Sequence, residues 1–462
     1  MKIKPDLISR FNTDQTVLVV STYPRHGHTY DPKALAVAPF TKNKINAIAK
    51  HAQSKSEAVK FVILADTIEG ESAYVEDGHL ILRCWTRNLL SVYLTIQKAV
   101  NLFPQAKTLV IEHEFGIFGL KHQITAQFPL FLLLNRLLGK NIVLVLHQVI
   151  YDLGELSGHL QIDPQGQITK LFNWLIKLNY RLFGLLADKV IVFDSSLKDK
   201  LSQLVKPEKI SAIPLPNSGR TAASHKKQNQ IKKQLGLDPK TFYLVFAGYI
   251  TWYKGADWLV KTFKHIKKQI KGRPVKLILA GGQSSSLEID TKYMNWYNHL
   301  LRTISNDKDI EITGVLSEKE LPKYIAAADL LVLPYRLMMS ASGPFTLAQT
   351  AGTPVIVSDK LKPMTKSEDI KAALKNNGLT PADFVFAMTP NGLLDKINRA
   401  RSNPAYLNAL TNLVRQIKTS RTCQNQAGTY LSIIKGYGAN AKLDLWPKTS
   451  PISNTAPSFA RS

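Results

Sequence analysis

The chain has 462 residues, 45% of them hydrophobic, and 60 Lys and Arg against 34 Asp and Glu give it a net charge of +26. That length exceeds one ordinary hydrophobic core, so two domains are expected, and the composition excludes a disordered or membrane-embedded chain. Cys84 and Cys423 stand far apart and in no ligand spacing, which excludes a disulfide scaffold or zinc site and suits a reducing compartment.

The N-terminal "MKIKPDLISRFNTDQ" lacks the apolar centre of a secretory signal. Short apolar runs follow: "TVLVVS" (16–21), "VKFVILAD" (59–66), "TLVIEHE" (108–114), "NIVLVLH" (141–147), "KVIVFD" (189–194) and "ISAIPLP" (210–216). Continuous rather than alternating runs predict strands buried on both faces, in a mostly parallel sheet under helices. The longest apolar stretch, "FPLFLLLNRLLGKNIVLVLH", is broken by Pro129, Asn135, Arg136, Gly139 and Lys140, so no membrane span is expected. "KLFNWLIKLNYRLFGLLADKV" (170–190) is amphipathic. It reads either as a helix covering the sheet or as one that dips into an anionic membrane.

The Lys/Gln/Asn-rich stretch "NSGRTAASHKKQNQIKKQLGLDPK" reads as a linker grading into a helix. The pattern then restarts with "TFYLVFAG" (241–248), "VKLILAGG" (275–282), "IEITGV" (310–315), "LLVLPY" (330–335), "TPVIVSD" (353–359) and "FVFAM" (384–388). The expected architecture is α/β, with two facing doubly wound parallel-sheet domains. Residues 1–218 would form the first domain, 219–240 the linker and 241–415 the second domain. Residues 416–437 would cross back to the first domain, and 441–462 would be a disordered tail. Neither half carries G-x-G-x-x-G, which argues against a dinucleotide dehydrogenase.

The positive charge has three readings: a generally basic surface, attraction to an anionic membrane face, or nucleic-acid binding. Scattered lysines with no zinc-finger spacing, RNP-like motif or basic heptad disfavour nucleic acid.

Open parallel sheets bind ligands at the carboxyl ends of their strands, so the cleft between the halves is the expected site. At the end of one strand Gly248 precedes a loop with Lys254 and Gly255. The glycines permit close backbone approach, and the lysine can place a point charge on a phosphate. The plain alternative is a solvated loop lysine beside a turn glycine. At another strand end, "SASG" (Ser340, Ser342 and Gly343 among them) opens a helix whose free N–H groups suit an anion. An ordinary serine N-cap is the alternative there.

Taken in order, "FAGYITWYKGADWLVKTF", "LILAGGQ", "GVLSEKELPKYIAAADLLVLPY" and "SASGPFTLAQTAGTPVIVSD" resemble the C-terminal half of glycosyltransferase family four, which has the GT-B fold. In the first half, "STYPRHG", "IEHEFGIFG" and "VLHQ" resemble that family's strand-end loops, and the likeness covers roughly residues 15–437. The resemblance implies retaining, metal-independent transfer of a sugar from a nucleotide diphosphate sugar, with no separate cofactor. The acceptor would be a glycan or a lipid-linked molecule. The setting would be cytoplasmic, peripheral on the inner face of the plasma membrane.

The resemblance also implies residue roles. His147 would face the donor sugar, Glu114 would assist an acceptor hydroxyl, and Lys254 would hold the diphosphate; His113 would line the same cleft. Gly27, Gly248, Gly255, Gly282, Ser340, Ser342, Gly343, Pro344, Phe345 and Gln349 would line the nucleotide-sugar site. Three departures stand out. Tyr249 and Thr251 occupy positions where arginine is usual; Met339 and Leu347 replace the E-x7-E pair; and "SASGPF" is one residue short, with Pro344 in the first helical turn. Loss of the second glutamate leaves either Gln349 or nothing for the ribose. The alternative reading is therefore a catalytically silent member that binds sugar nucleotide or glycan.

Overall fold

The computed structural model describes residues 3–436 apart from 30–36, 69, 71, 120–121, 161, 218–224, 271, 273, 285–286 and 289. Two open sheets organise the chain. The first contains β1 (Thr16–Val20), β2 (Lys60–Asp66), β3 (Ala73–Glu76), β4 (His79–Trp85), β5 (Thr108–His113), β6 (Asn141–Leu146), β7 (Lys189–Val192) and β8 (Ile210–Ala212). Their spatial order is β3-β4-β2-β1-β5-β6-β7-β8. The second contains β9 (Phe242–Ala247), β10 (Val275–Ala280), β11 (Ile310–Ile312), β12 (Leu330–Leu333), β13 (Val355–Ser358) and β14 (Val385–Phe386). Its order, β11-β10-β9-β12-β13-β14, is parallel throughout.

Each of the expected apolar runs contains a strand, and the central strands β1, β9, β12 and β13 are buried along their whole length. The first sheet departs from a purely parallel one at its edge, where β3 and β4 form an antiparallel hairpin. Asp77 and Gly78 turn it with φ of 51° and 83°, the left-handed pair that a two-residue hairpin turn requires.

The last helix, Cys423–Ile434, leaves the second domain and packs on Val37–Ser54 of the first. Tyr430, Leu431 and Ile434 join the first domain's core there. Part of the 219–240 stretch belongs structurally to the second domain. Helix His225–Gln234 buries Lys232 against Asp329, with Nζ to Oδ2 at 2.7 Å, and Leu237 enters the second core. Residues 218–224 and the 441–462 tail lie outside the described residues.

The domains also touch at their facing loops. Val149 N donates to Met339 O at 2.8 Å, and Gln148 and Ser340 form an antiparallel bridge. Ile150, Leu156 and Met339 make a small apolar cluster at this contact. At the hinge side, buried Arg421 pairs with Asp369, and Asp194 accepts from Ser367 Oγ at 3.3 Å.

Candidate functional site

The donor side begins where β9 ends. Gly248 has φ +99° and donates its N–H to Ala280 O at 3.0 Å, which turns the chain sharply out of the sheet. A Cβ there would lie 3.3 Å from Lys254 Nζ and 3.3 Å from Pro344 Cγ. Lys254 and the first turn of helix Gly343–Ala351 therefore flank this bare stretch of backbone. Gly255 is fixed by packing: it has φ +74°, and a Cβ would sit 2.0 Å from Pro334 O. Gly282 is likewise tightly packed, since a Cβ would lie 2.5 Å from Val315 N.

The loop carrying Lys254 is held from beneath. Arg336 makes a bidentate contact with Asp257, at 2.7 and 2.9 Å, and its backbone N–H donates to Tyr253 O at 2.7 Å. Its guanidinium also stacks 4.9 Å from the Trp252 ring centre. Arg336 is thus neutralised and serves to position the loop. Lys254 has no carboxylate partner among the described residues, and the rings of Tyr249 and Tyr253 approach its Nζ at 6.0 and 5.8 Å. Burial pushes its ammonium down to about 8. An unpaired cation in a desolvated crevice is relieved by an anion.

The neighbouring helix start supplies less than the sequence suggests. Ser342 is the N-cap, and its Oγ accepts from Phe345 N at 3.2 Å and contacts Tyr335 OH at 3.1 Å. Pro344 has no N–H. The exposed amide at the tip is that of Gly343, where a Cβ would meet nothing within 4 Å. Ser340 sits in the bridge to Gln148, so it belongs to the domain contact. Two expected lining residues are buried: Phe345 and Gln349 are 2% and 0% exposed, and Phe345 belongs to the second domain's core. Helical spacing explains this. Phe345, Ala348 and Gln349 share the buried face of the helix, while Leu347 lies on the half-exposed side. Both Gln349 amide atoms are buried with no hydrogen-bond partner among the described residues.

On the acceptor side His147 follows β6, with its side chain 11% exposed. Its Nε2 lies 2.7 Å from Glu112 Oε2, and Glu112 also pairs with Lys44 Nζ. Burial opposes ionisation of Glu112, but the Lys44 ammonium and the His147 hydrogen bond outweigh it and hold the carboxyl below its ordinary range. Lys44 Nζ in turn lies 5.2 Å from the Tyr430 ring of the crossing helix. Glu114 accepts from Gln148 Nε2 at 3.1 Å. Burial raises its carboxyl, with the nearby His147 pulling the other way, and its charge reaches Tyr253 across the domain contact.

His113 corrects the expectation that it lines this cleft. It stacks on Phe128 at 4.7 Å in the opposite layer, where burial drives its imidazole down to about 3. Strand alternation is the cause. Val110 and Glu112 share one face of β5, and Val143, Val145 and then His147 continue the same face of β6, whereas His113 falls on the other. Gly27 also differs from expectation in detail: its amide is occupied, donating to Glu76 Oε1 at 2.7 Å. Glu112, Lys44 and Arg336 are the residues the sequence reading missed.

The geometry thus places a lone ammonium and a helix tip on one domain opposite a histidine–carboxylate pair on the other. Comparison with known proteins gives this arrangement a class. Residues 241–398 match the family model described as "Glycosyl transferases group 1". A D-inositol 3-phosphate glycosyltransferase of Pseudarthrobacter chlorophenolicus is 28% identical over 135 residues, 28% of this chain and 30% of that protein. One from Corynebacterium aurimucosum is 23% identical over 142 residues, 30% of this chain and 32% of that protein. The chain therefore aligns with about a third of the length of these curated relatives.

Among solved structures, sucrose-phosphate synthase from Thermosynechococcus elongatus superposes with a TM-score of 0.64 at 14% identity, covering 92% of this chain and 99% of that one. Anabaena HepE, solved in complex with UDP-glucose, superposes with a TM-score of 0.59 at 14% identity, covering 90% and 99%. At these identities the likeness establishes the fold, which is GT-B. Residues 241–398, about a third of the chain, are similar to the group 1 glycosyltransferases.

Proposed function

We propose that the chain is a retaining, metal-independent glycosyltransferase that moves a sugar from a nucleotide diphosphate sugar to a glycan or lipid-linked acceptor at the cytoplasmic membrane face. The observation that carries this is the unpaired Lys254 ammonium beside Gly248 and Pro344 at the carboxyl end of the second sheet. As the bond from the anomeric carbon to the diphosphate breaks, negative charge grows on the leaving oxygen. Lys254 and the Gly343 amide at the positive end of its helix are fixed to receive it.

Glu114 takes the proton of the attacking hydroxyl in this reading. Its raised carboxyl makes it a stronger base than an exposed glutamate, and Gln148 orients it. His147, held by Glu112, lies alongside the reacting sugar. The UDP-glucose complex of HepE supports a nucleotide-sugar donor and makes UDP-sugars the first to test. The shared fold of WaaG, a glycosyltransferase involved in lipopolysaccharide biosynthesis, with a TM-score of 0.58 at 14% identity, supports an envelope acceptor.

One observation favours a silent binding member instead: half-buried Leu347 stands where the resemblance expects a ribose-binding glutamate, and Gln349 is fully buried. A donor screen separates the two. Transfer predicts slow nucleotide release from one UDP-, GDP- or dTDP-sugar, reduced more than roughly tenfold by Lys254→Ala. Nucleotide binding without release from any donor would favour the silent reading.

A further inference from the structure

Three helices of the first domain lie side by side on one layer: Val92–Val100, His122–Leu137 and Gln167–Leu186. Their inward residues, among them Tyr93, Phe128 and Phe183, build the core. Their outward faces are not polar, as a solvated layer would be. Leu130, Leu134 and Leu137 on the second helix, and Leu171, Trp174 and Leu175 on the third, are exposed, with Leu137 at 76% and Trp174 at 56%. Most of the exposed large apolar side chains among the described residues lie on or at the ends of these three helices. A patch of this kind on a single protein marks a docking surface.

Charge decides the occupant. None of the three helices contains an Asp or Glu, while Lys98, Arg136, Lys170, Lys177 and Arg181 lie along them. Arg136 is paired with Asp188, and Lys177 lies over the Tyr151 ring. Exposed Lys170 and Arg181 have no carboxylate partner among the described residues. Apolar side chains projecting between unpaired cations fit a surface of hydrocarbon under anionic headgroups. A second copy of a chain with net charge +26 would bring like charge to the same face. No described helix is long and apolar enough to cross a membrane, so the contact is a lateral one.

The position of the patch relative to the cleft adds an independent constraint. Asn173, on the third helix, accepts from Leu153 N at 2.7 Å and donates to Asp152 Oδ1 at 2.9 Å, which ties the helix to the 152–158 loop. That loop packs on the donor loop, for a Cβ on Gly158 would lie 2.2 Å from Trp252 Cζ2. The apolar face is therefore joined through one short segment to the mouth of the cleft.

We infer that the outward face of helices His122–Leu137 and Gln167–Leu186 seats the protein on an anionic phospholipid bilayer, with the cleft mouth next to the lipid surface. This rests on the proposed transfer at a membrane and gives it a surface. The test is flotation of the full chain with phosphatidylcholine vesicles, with and without phosphatidylglycerol, alongside nucleotide release in vesicle-free buffer. Wild type floats with the anionic vesicles, and Leu171→Glu/Trp174→Glu lowers the floated fraction by roughly tenfold while leaving release unchanged. Lys170→Glu/Arg181→Glu, at exposed positions that no fold contact needs, gives a similar loss.

Absent flotation, or equal flotation with neutral vesicles, overturns the inference. So does self-association in light scattering that Trp174→Glu abolishes without any vesicle binding, because the face would then be a contact between copies. Failed flotation with intact release overturns the docking face alone, and intact flotation without release overturns the transfer reading alone.

Discussion

His147 Nε2 lies 2.7 Å from Glu112 Oε2, and the same carboxylate is paired with Lys44 from the helix on which the crossing segment packs. His147 is thus the exposed end of a buried polar chain that begins under the domain-crossing helix. Orientation of its ring depends on a group that never meets solvent.

Glu112→Gln tests that dependence. The variant keeps a hydrogen-bond acceptor for His147 but removes the charge that balances Lys44. Turnover should fall by roughly tenfold to a hundredfold with little change in donor KM. Stability should drop by about 3–5 kcal/mol, since a buried cation is left unpaired. Lys44→Met combined with Glu112→Gln should recover much of that stability in urea melts without recovering turnover.

Lys254 carries a cost in the free protein, because burial holds its ammonium at about 8. Lys254→Met should therefore raise the melting temperature by a few degrees, corresponding to roughly 1–3 kcal/mol, while abolishing nucleotide release. An unchanged or lower melting temperature would mean that the ammonium is already compensated in the free protein.

The Arg336–Asp257 pair fixes the Lys254 loop through two hydrogen bonds and the Trp252 stacking contact. Arg336→Lys keeps the charge but loses the planar fork, so donor KM should rise roughly tenfold with a smaller effect on stability. A change in melting temperature with unaltered kinetics would reduce the pair to a purely structural role.

At the hinge, buried Arg421 neutralises Asp369 and lies near Asp194, whose carboxyl is raised by burial despite its serine hydrogen bonds and the guanidinium. Arg421→Met should cost about 3–5 kcal/mol, read by chemical denaturation. Asp369→Asn in the same background should return part of that loss.

The fold was legible because most strands lie in continuous apolar runs, and two series of such runs with a polar stretch between them give two sheets. The β3–β4 hairpin was also written in the sequence: Asp77–Gly78 between "AYVE" and "HLILRCW" is a two-residue turn signal that the parallel pattern overshadowed. The positions of Lys254, Gly248 and His147 after strands were readable from the apolar runs. Glu112 could have been found by counting in twos from His147 and Glu114, which would also have removed His113 from the cleft. Phe345 and Gln349 misled because a motif fixes spacing along the chain, whereas helix rotation decides which side chains face outward. Arg336 lies far in sequence from the loop it holds, so only the folded contact reveals it.

The central claim is that Lys254 grips a diphosphate. Its sign with pH follows from linkage: the free ammonium titrates near 8, and a bound anion raises that value. Affinity should be full below 8 and decline by up to about tenfold per pH unit as the free protein loses the proton. Calorimetric titration of UDP, GDP and dTDP in turn, across this range, into wild type and Lys254→Met measures it directly. The account predicts one nucleotide whose affinity falls above pH 8 in wild type and is weak and pH-independent in the variant. Equal, pH-independent affinity in both proteins would contradict it.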